Sequence, residues 1–280
     1  MIINYISIFT ISLIALSLEL FITQILNLKT WNHVVYSIIP FSILGYGIGA
    51  NACLLLKTTL VKWQKKDIAA LCLAIISITS FLCSLTLIYL PIQLAYLINI
   101  LKSLTAISML LISYAILMIP FIPIGFLTVF LFFSNPNKNH RLYFVNLLGS
   151  GLGALLFYAL INKFEIIHSI ILLASTSMLL SLIFFIKHKK KRILICTLFI
   201  FFISIITLVI PEPKSYVIDK AKGWEYIPGF LNKNEYEHSF SKWSPLGRVD
   251  IFCIKNESAR KKILKKGPFQ INLDPLPEFS

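Results

Sequence analysis

Glu19 is the only acid inside an apolar run of this chain, and the side-chain amides of Gln24, Asn51 and Asn146 share its apolar setting. A carboxyl group held in hydrocarbon can exchange a proton, pair with a cation or accept hydrogen bonds. A charge at the centre of a membrane helix costs about 2.5 to 3.5 kcal/mol on insertion scales, so Glu19 is expected to face protein or water. Amides in that medium need partners, because an unpaired polar group there is expensive. Glu19, Gln24, Asn51 and Asn146 therefore make up the candidate intramembrane polar site. It serves either a moving solute or proton, or only hydrogen bonding between helices, and both readings stay open at this level.

Little else in the chain could do chemistry. Cys53, Cys72, Cys83 and Cys196 lie in apolar runs, Cys253 lies in the tail, and no two are spaced as C-x-x-C. They read as small buried hydrophobes. His33 sits near an interface beside Trp31 and Tyr36, which suit an aromatic belt. His168 opens the sixth span with no partner evident, and His188 lies in a basic loop. With no nucleophile, paired carboxylates or metal-ligand spacing, we assign no catalytic residue, cofactor or metal site.

The elements that must position these residues are set by composition. A mean hydropathy of +0.82 with 57% apolar and 14% charged residues makes the bilayer the solvent for most of the chain. Apolar runs predict seven spans, near 3–26, 34–56, 68–90, 103–133, 142–162, 167–187 and 192–211. The fourth is too long for one straight crossing, and Pro120 and Pro123 are expected to break it. Residues 91–101 read as a loop or interfacial helix. The fold class is all-α: a polytopic transmembrane bundle, residues 1–211, followed by a polar tail, 212–280, forming a short mixed or β stub. All but three of the chain's 12 acids follow Pro211, which marks that boundary.

Two glycine pairs at four-residue spacing, Gly45 with Gly49 and Gly149 with Gly153, place small residues on one face of a helix and predict close helix packing. Although Gly45-Tyr46-Gly47-Ile48-Gly49 has the spacing of a nucleotide loop, no strand precedes it, so the phosphate reading is set aside. The net charge of +14 comes largely from loop lysines rather than a nucleic-acid surface. Positive loops (57–66, 134–141 and 187–192) alternate with poor ones, which predicts a cytoplasmic N-terminus and a periplasmic tail. The first run has no basic leader or small-x-small site, so it reads as a retained helix.

Three stretches resemble bacterial spermidine synthase-like integral membrane proteins, in which a polytopic domain is fused to an aminopropyltransferase-like domain. They are the order R-L-Y-x-x-N-x-x-G-x-x-x-G from Arg141 to Gly153, the stretch Leu18 to Gln24 with the glycine-rich second span, and W-S-P-x-x-R-x-D from Trp243 to Asp250. Gln24 occupies the place where the family usually carries arginine. The resemblance implies that the tail begins an aminopropyltransferase-like domain. Only 32 residues follow Arg248, too few for the family's nucleotide-binding sheet, so its catalytic residues have no counterparts here and the chain is expected to be a truncated or split fusion. The expected function is a non-catalytic membrane domain acting as anchor or partner for polyamine-related chemistry in the bacterial inner membrane; the alternative is a small-solute, polyamine-type transporter or channel. Expected partners are the lipid bilayer and either a second copy or a separately encoded soluble half, with no nucleic acid. Residues 255–266 read as a basic surface helix and 268–280 as an unstructured end.

Overall fold

A segment that crosses hydrocarbon must satisfy its backbone internally, so long apolar runs become helices. The computed structural model describes residues 2–29, 35–60, 64–89, 104–188, 235–245 and 247–257, with 198, 202 and 261 besides. The helices are α1 (Ile2–Lys29), α2 (Ile38–Leu55), α3 (Lys57–Leu60), α4 (Lys65–Tyr89), α5 (Leu104–Met118), α6 (Phe121–Phe133), α7 (Asn139–Lys163) and α8 (Ile166–His188). A 3-10 turn, Pro136–Lys138, precedes α7, and β1 (Tyr236–Ser244) pairs antiparallel with β2 (Gly247–Ile254). Among the described residues six segments are long and apolar enough to cross a membrane, the fourth being the α5–α6 stretch from Tyr114 to Phe133. The expected seventh span, the segment 91–101, the Trp31–His33 cluster, most of the basic stretch after Glu257 and the end 268–280 lie outside the described residues.

The fourth span is divided where its prolines stand. α5 ends at Met118 and α6 begins at Phe121, with Pro120 just ahead of α6 and Pro123 in its first turn. The first N–H groups of a helix have no intrahelical acceptor, so proline loses nothing there. Amides of Ile119 and Ile122 bond three residues back, to Ile116 and Ile119, so the chain tightens through the break rather than unwinding.

Packing is organised in three helix pairs: α1 with α7, α2 with α6, and α4 with α8. Lipid tails are as apolar as leucine, so close backbone approach and interhelical hydrogen bonds hold such pairs. In the first pair a Cβ on Gly149 would stand 2.6 Å from the Phe9 carbonyl oxygen, and one on Gly153 2.5 Å from that of Leu13. In the second, a Cβ on Gly45 would meet the Met118 carbonyl at 2.8 Å, and one on Gly49 would collide with the Ile122 carbonyl. Gly47 and Gly151, between these pairs, face open space. The third pair uses hydroxyls: Ser77 of α4 donates to the Ala174 carbonyl at 2.7 Å, and Ser181 of α8 donates to that of Ala70 at 2.7 Å.

Contact order along each pair fixes direction. Asn4 meets Asn135 just ahead of α7, Ser12 meets Asn146, and Phe21 meets Phe157, so α1 and α7 run parallel. Gly45 and Gly49 meet Met118 and Ile122, and the Lys57 ammonium lies over the Phe133 ring, so α2 and α6 are parallel too. α4 and α8 are antiparallel. One end of the bundle therefore gathers Lys57, Lys65, Lys66, Lys138 and Arg141. The opposite end carries the C-terminus of α1 and the β-hairpin, which rests on α1 and α7.

The hairpin turns at Ser244–Gly247, where the Ser244 hydroxyl donates to the Gly247 carbonyl at 2.8 Å and Gly247 has φ +153°, a conformation side chains resist. The Pro-Gly turn and following strand read from the sequence are both present, with a preceding strand paired in register and a bulge between His238 and Phe240.

Candidate functional site

The four candidate polar residues do not converge on one point. Asn146, on the glycine face of α7, accepts a 2.6 Å bond from the Ser12 hydroxyl of α1, which also lies 2.6 Å from the Ile8 carbonyl. One turn on, Ser17 donates to the Gly153 carbonyl at 2.7 Å. Close approach at Gly149 and Gly153 is what brings these hydroxyls within reach. Glu19 is half-buried on the side of α1 near Ser42 of α2, whose hydroxyl donates to the Ile39 carbonyl of its own helix at 2.8 Å. Gln24 donates from Nε2 to the Pro245 carbonyl of the hairpin at 2.5 Å, while its Oε1 is buried with no partner among the described residues. Asn51 is exposed and donates to the Gly47 carbonyl of its own helix at 2.9 Å.

At a rise of roughly 1.5 Å per residue, Ser12, Glu19 and Gln24 mark three stations spread over roughly 18 Å of α1. Ser12 reaches α7 and Gln24 reaches the hairpin, while Glu19, the one ionisable group of the three, faces α2 near Ser42. His168, for which the sequence suggested no partner, has one: its Nδ1 lies 3.3 Å from Glu165 Oε2, one turn earlier on the surface.

A cavity of about 270 Å³ opens at the basic end between α2, α4 and α6, lined by Cys53, Leu54, Lys57, Lys65, Phe130 and Phe133 among others. The walls are apolar and the mouth carries two ammoniums. Lys65 Nζ donates to the Ser134 carbonyl at 2.8 Å, and Lys57 Nζ stands 4.4 Å from the centre of the Phe133 ring. In the sequence Lys57 and Lys65 are only loop charges that orient the spans; their convergence depends on how the ends of three helices meet, which spacing does not encode. Among the described residues no three His, Cys, Asp or Glu side chains come together.

These elements define an integral, multi-pass membrane helix bundle carrying a small extramembrane hairpin. Compared with known proteins, the chain matches no family model, no curated protein and no solved structure.

Proposed function

We propose that the bundle is the non-catalytic membrane domain of a spermidine synthase-like protein, anchored in the bacterial inner membrane, which holds its C-terminal module against one membrane face. The observation that carries this reading is the seating of the W-S-P-x-x-R segment. Trp243 is buried at 5% exposure, the Arg248 guanidinium lies 5.6 Å from its ring centre, and Pro245 is tied to Gln24 of α1. A tail serving only as a tether would leave its tryptophan in water. Positive loops at the opposite end favour a cytoplasmic N-terminus and a periplasmic hairpin. The partners in this reading are the lipid bilayer and either a second copy or a separately encoded soluble half.

The seating is tested with Gln24→Leu combined with Trp243→Ala in sided membrane vesicles. Burial of a tryptophan is worth about 3 kcal/mol or more, so undocking should speed proteolysis within 235–257 by at least about tenfold. Cleavage should require protease on the periplasmic side. Equal rates in variant and wild type would remove the anchoring argument, and cleavage from the cytoplasmic side alone would reverse the orientation.

A second reading, a small-solute transporter, is favoured by the open cavity together with Glu19. The ammoniums of Lys57 and Lys65 at the mouth suit an anionic solute better than a polyamine. In vesicles, uptake of a labelled small organic anion should exceed that of labelled spermidine, and Glu19→Gln should lower it several-fold. Uptake no greater than in empty vesicles for either solute would end this reading.

A further inference from the structure

Two constant offsets connect the contacts that hold the bundle together. Leu44-Gly45-Tyr46-Gly47-Ile48-Gly49-Ala50 of α2 and Leu148-Gly149-Ser150-Gly151-Leu152-Gly153-Ala154 of α7 differ only at Tyr46/Ser150 and Ile48/Leu152, and stand 104 positions apart. The carbonyls these glycines press on repeat as well. Gly149 and Gly153 meet Phe9 and Leu13 of α1, while Gly45 and Gly49 meet Met118 and Ile122, each 109 positions later in the chain. The third pair obeys the first offset: Ser77 donates to Ala174 and Ser181 to Ala70, so donor maps onto donor and acceptor onto acceptor at 104. In both halves the middle glycine, Gly47 or Gly151, touches nothing. Six contacts on three interfaces are thus generated by relating α1 to α5–α6, α2 to α7 and α4 to α8. Each related pair runs in opposite directions through the bundle, because the unit contains three crossings. Such a relation is a two-fold axis lying in the membrane plane.

The same relation carries the open cavity to the other end of the bundle. Cys53 maps onto Phe157, Phe130 onto Phe21, Phe133 onto Gln24, and Lys57 onto Ile161. There the described side chains meet: Phe21 and Phe157 pack edge to face with centroids 4.9 Å apart and Ile161 is 1% exposed, although Phe157 at 7% is no more buried than Cys53 at 3%. The hairpin sits above, bonded to Gln24. Among the described residues, then, equivalent surfaces frame a cavity at the basic end and packed rings at the hairpin end.

We infer that the six described spans are two inverted three-helix repeats, and that the chain exchanges the open cavity between α2, α4 and α6 for an equivalent one between α1, α7 and α8. Two halves of one design have two arrangements of the same packing, one the mirror in role of the other. The hairpin is then the cover of the second opening. That a solute crosses by this exchange rests on the transport reading; the exchange itself does not.

Thiol labelling in sided vesicles tests it, with Cys72, Cys83, Cys196 and Cys253 replaced by alanine. A small membrane-impermeant methanethiosulfonate should modify Cys53 from the basic face only. In the Cys53→Ala protein, Phe157→Cys should be modified from the hairpin face only, about tenfold more slowly than Cys53, reflecting a minor population open at that end. In a protein holding both thiols, first attaching a bulky group to Cys53 from the basic face should prop that cavity open and slow labelling at 157 about fivefold. Should Phe157→Cys not fold, Ile161→Cys on the same wall replaces it. Labelling no faster than at the core control Leu18→Cys, labelling from the basic face, or a rate indifferent to the group on Cys53 would each overturn the exchange. Coupled labelling without uptake of any solute would leave the exchange standing and dismiss the transport reading, and uptake without coupled labelling would do the reverse.

Discussion

Gly49→Ala should lower the unfolding midpoint of the detergent-purified protein by many degrees, whereas Gly47→Ala, two positions earlier, should leave it unchanged or raise it slightly. The two substitutions add the same methyl group to the same helix, and they differ in what that group meets. At Gly49 it would drive into the Ile122 carbonyl and stand 2.8 Å from the Phe126 amide nitrogen, both backbone atoms that no rotamer change can move away. α2 and α6 would have to separate along their whole seam, at an overpacking cost of about 1 to 3 kcal/mol or more. At Gly47 the methyl group meets nothing, and replacing glycine with alanine in a helix gains up to roughly 1 kcal/mol of backbone preference. The same contrast should hold between Gly153→Ala and Gly151→Ala on α7. Thermal unfolding followed by tryptophan fluorescence reads both pairs. If Gly49→Ala and Gly153→Ala unfolded with the wild-type midpoint, the close-packed seams would not be what holds this bundle together.

These glycines were legible in the sequence because a four-residue spacing is a property of one helix. Which backbone each would press on was not, since partner choice depends on how six crossings are arranged. The break at Pro120 was legible for the same local reason: proline's missing donor and fixed φ act wherever it stands. Serine carried no comparable signal. Ser77 and Ser181 bridge helices, yet Ser175 donates to the Ile171 carbonyl of its own helix at 2.8 Å, and nothing in composition separates the two behaviours. Glu19 stands out as an acid in an apolar run, but its placement near Ser42 and the cavity framed by Lys57 and Lys65 arise only when helices distant in sequence meet. The duplication is masked in the sequence although five of seven residues recur between 44–50 and 148–154, because only the second half carries a break, at Pro120, and because the carbonyls that complete the pattern have no trace in side-chain identity.

Phe21→Ala should destabilise the protein far more than Phe130→Ala, although the two phenylalanines occupy equivalent places in the two halves. Phe21 is fully buried and its ring meets Phe157 at the closed end, so truncation leaves a void that packed neighbours cannot fill, costing about 3 to 5 kcal/mol. Phe130, 4% exposed, lines the open cavity of about 270 Å³, so its removal enlarges space that already exists. Truncation at Phe130 is expected to cost about half as much or less. The site of the damage should differ as well as its size. Loss of the Phe21 ring loosens α1 against α7 one turn before Gln24, the residue bonded to the hairpin, so protease cleavage within 235–257 should rise in Phe21→Ala and stay at the wild-type rate in Phe130→Ala. Equal losses of stability in the two variants would mean that the two ends are packed alike, and the difference between an open and a shut cavity, on which the exchange of openings depends, would go with it.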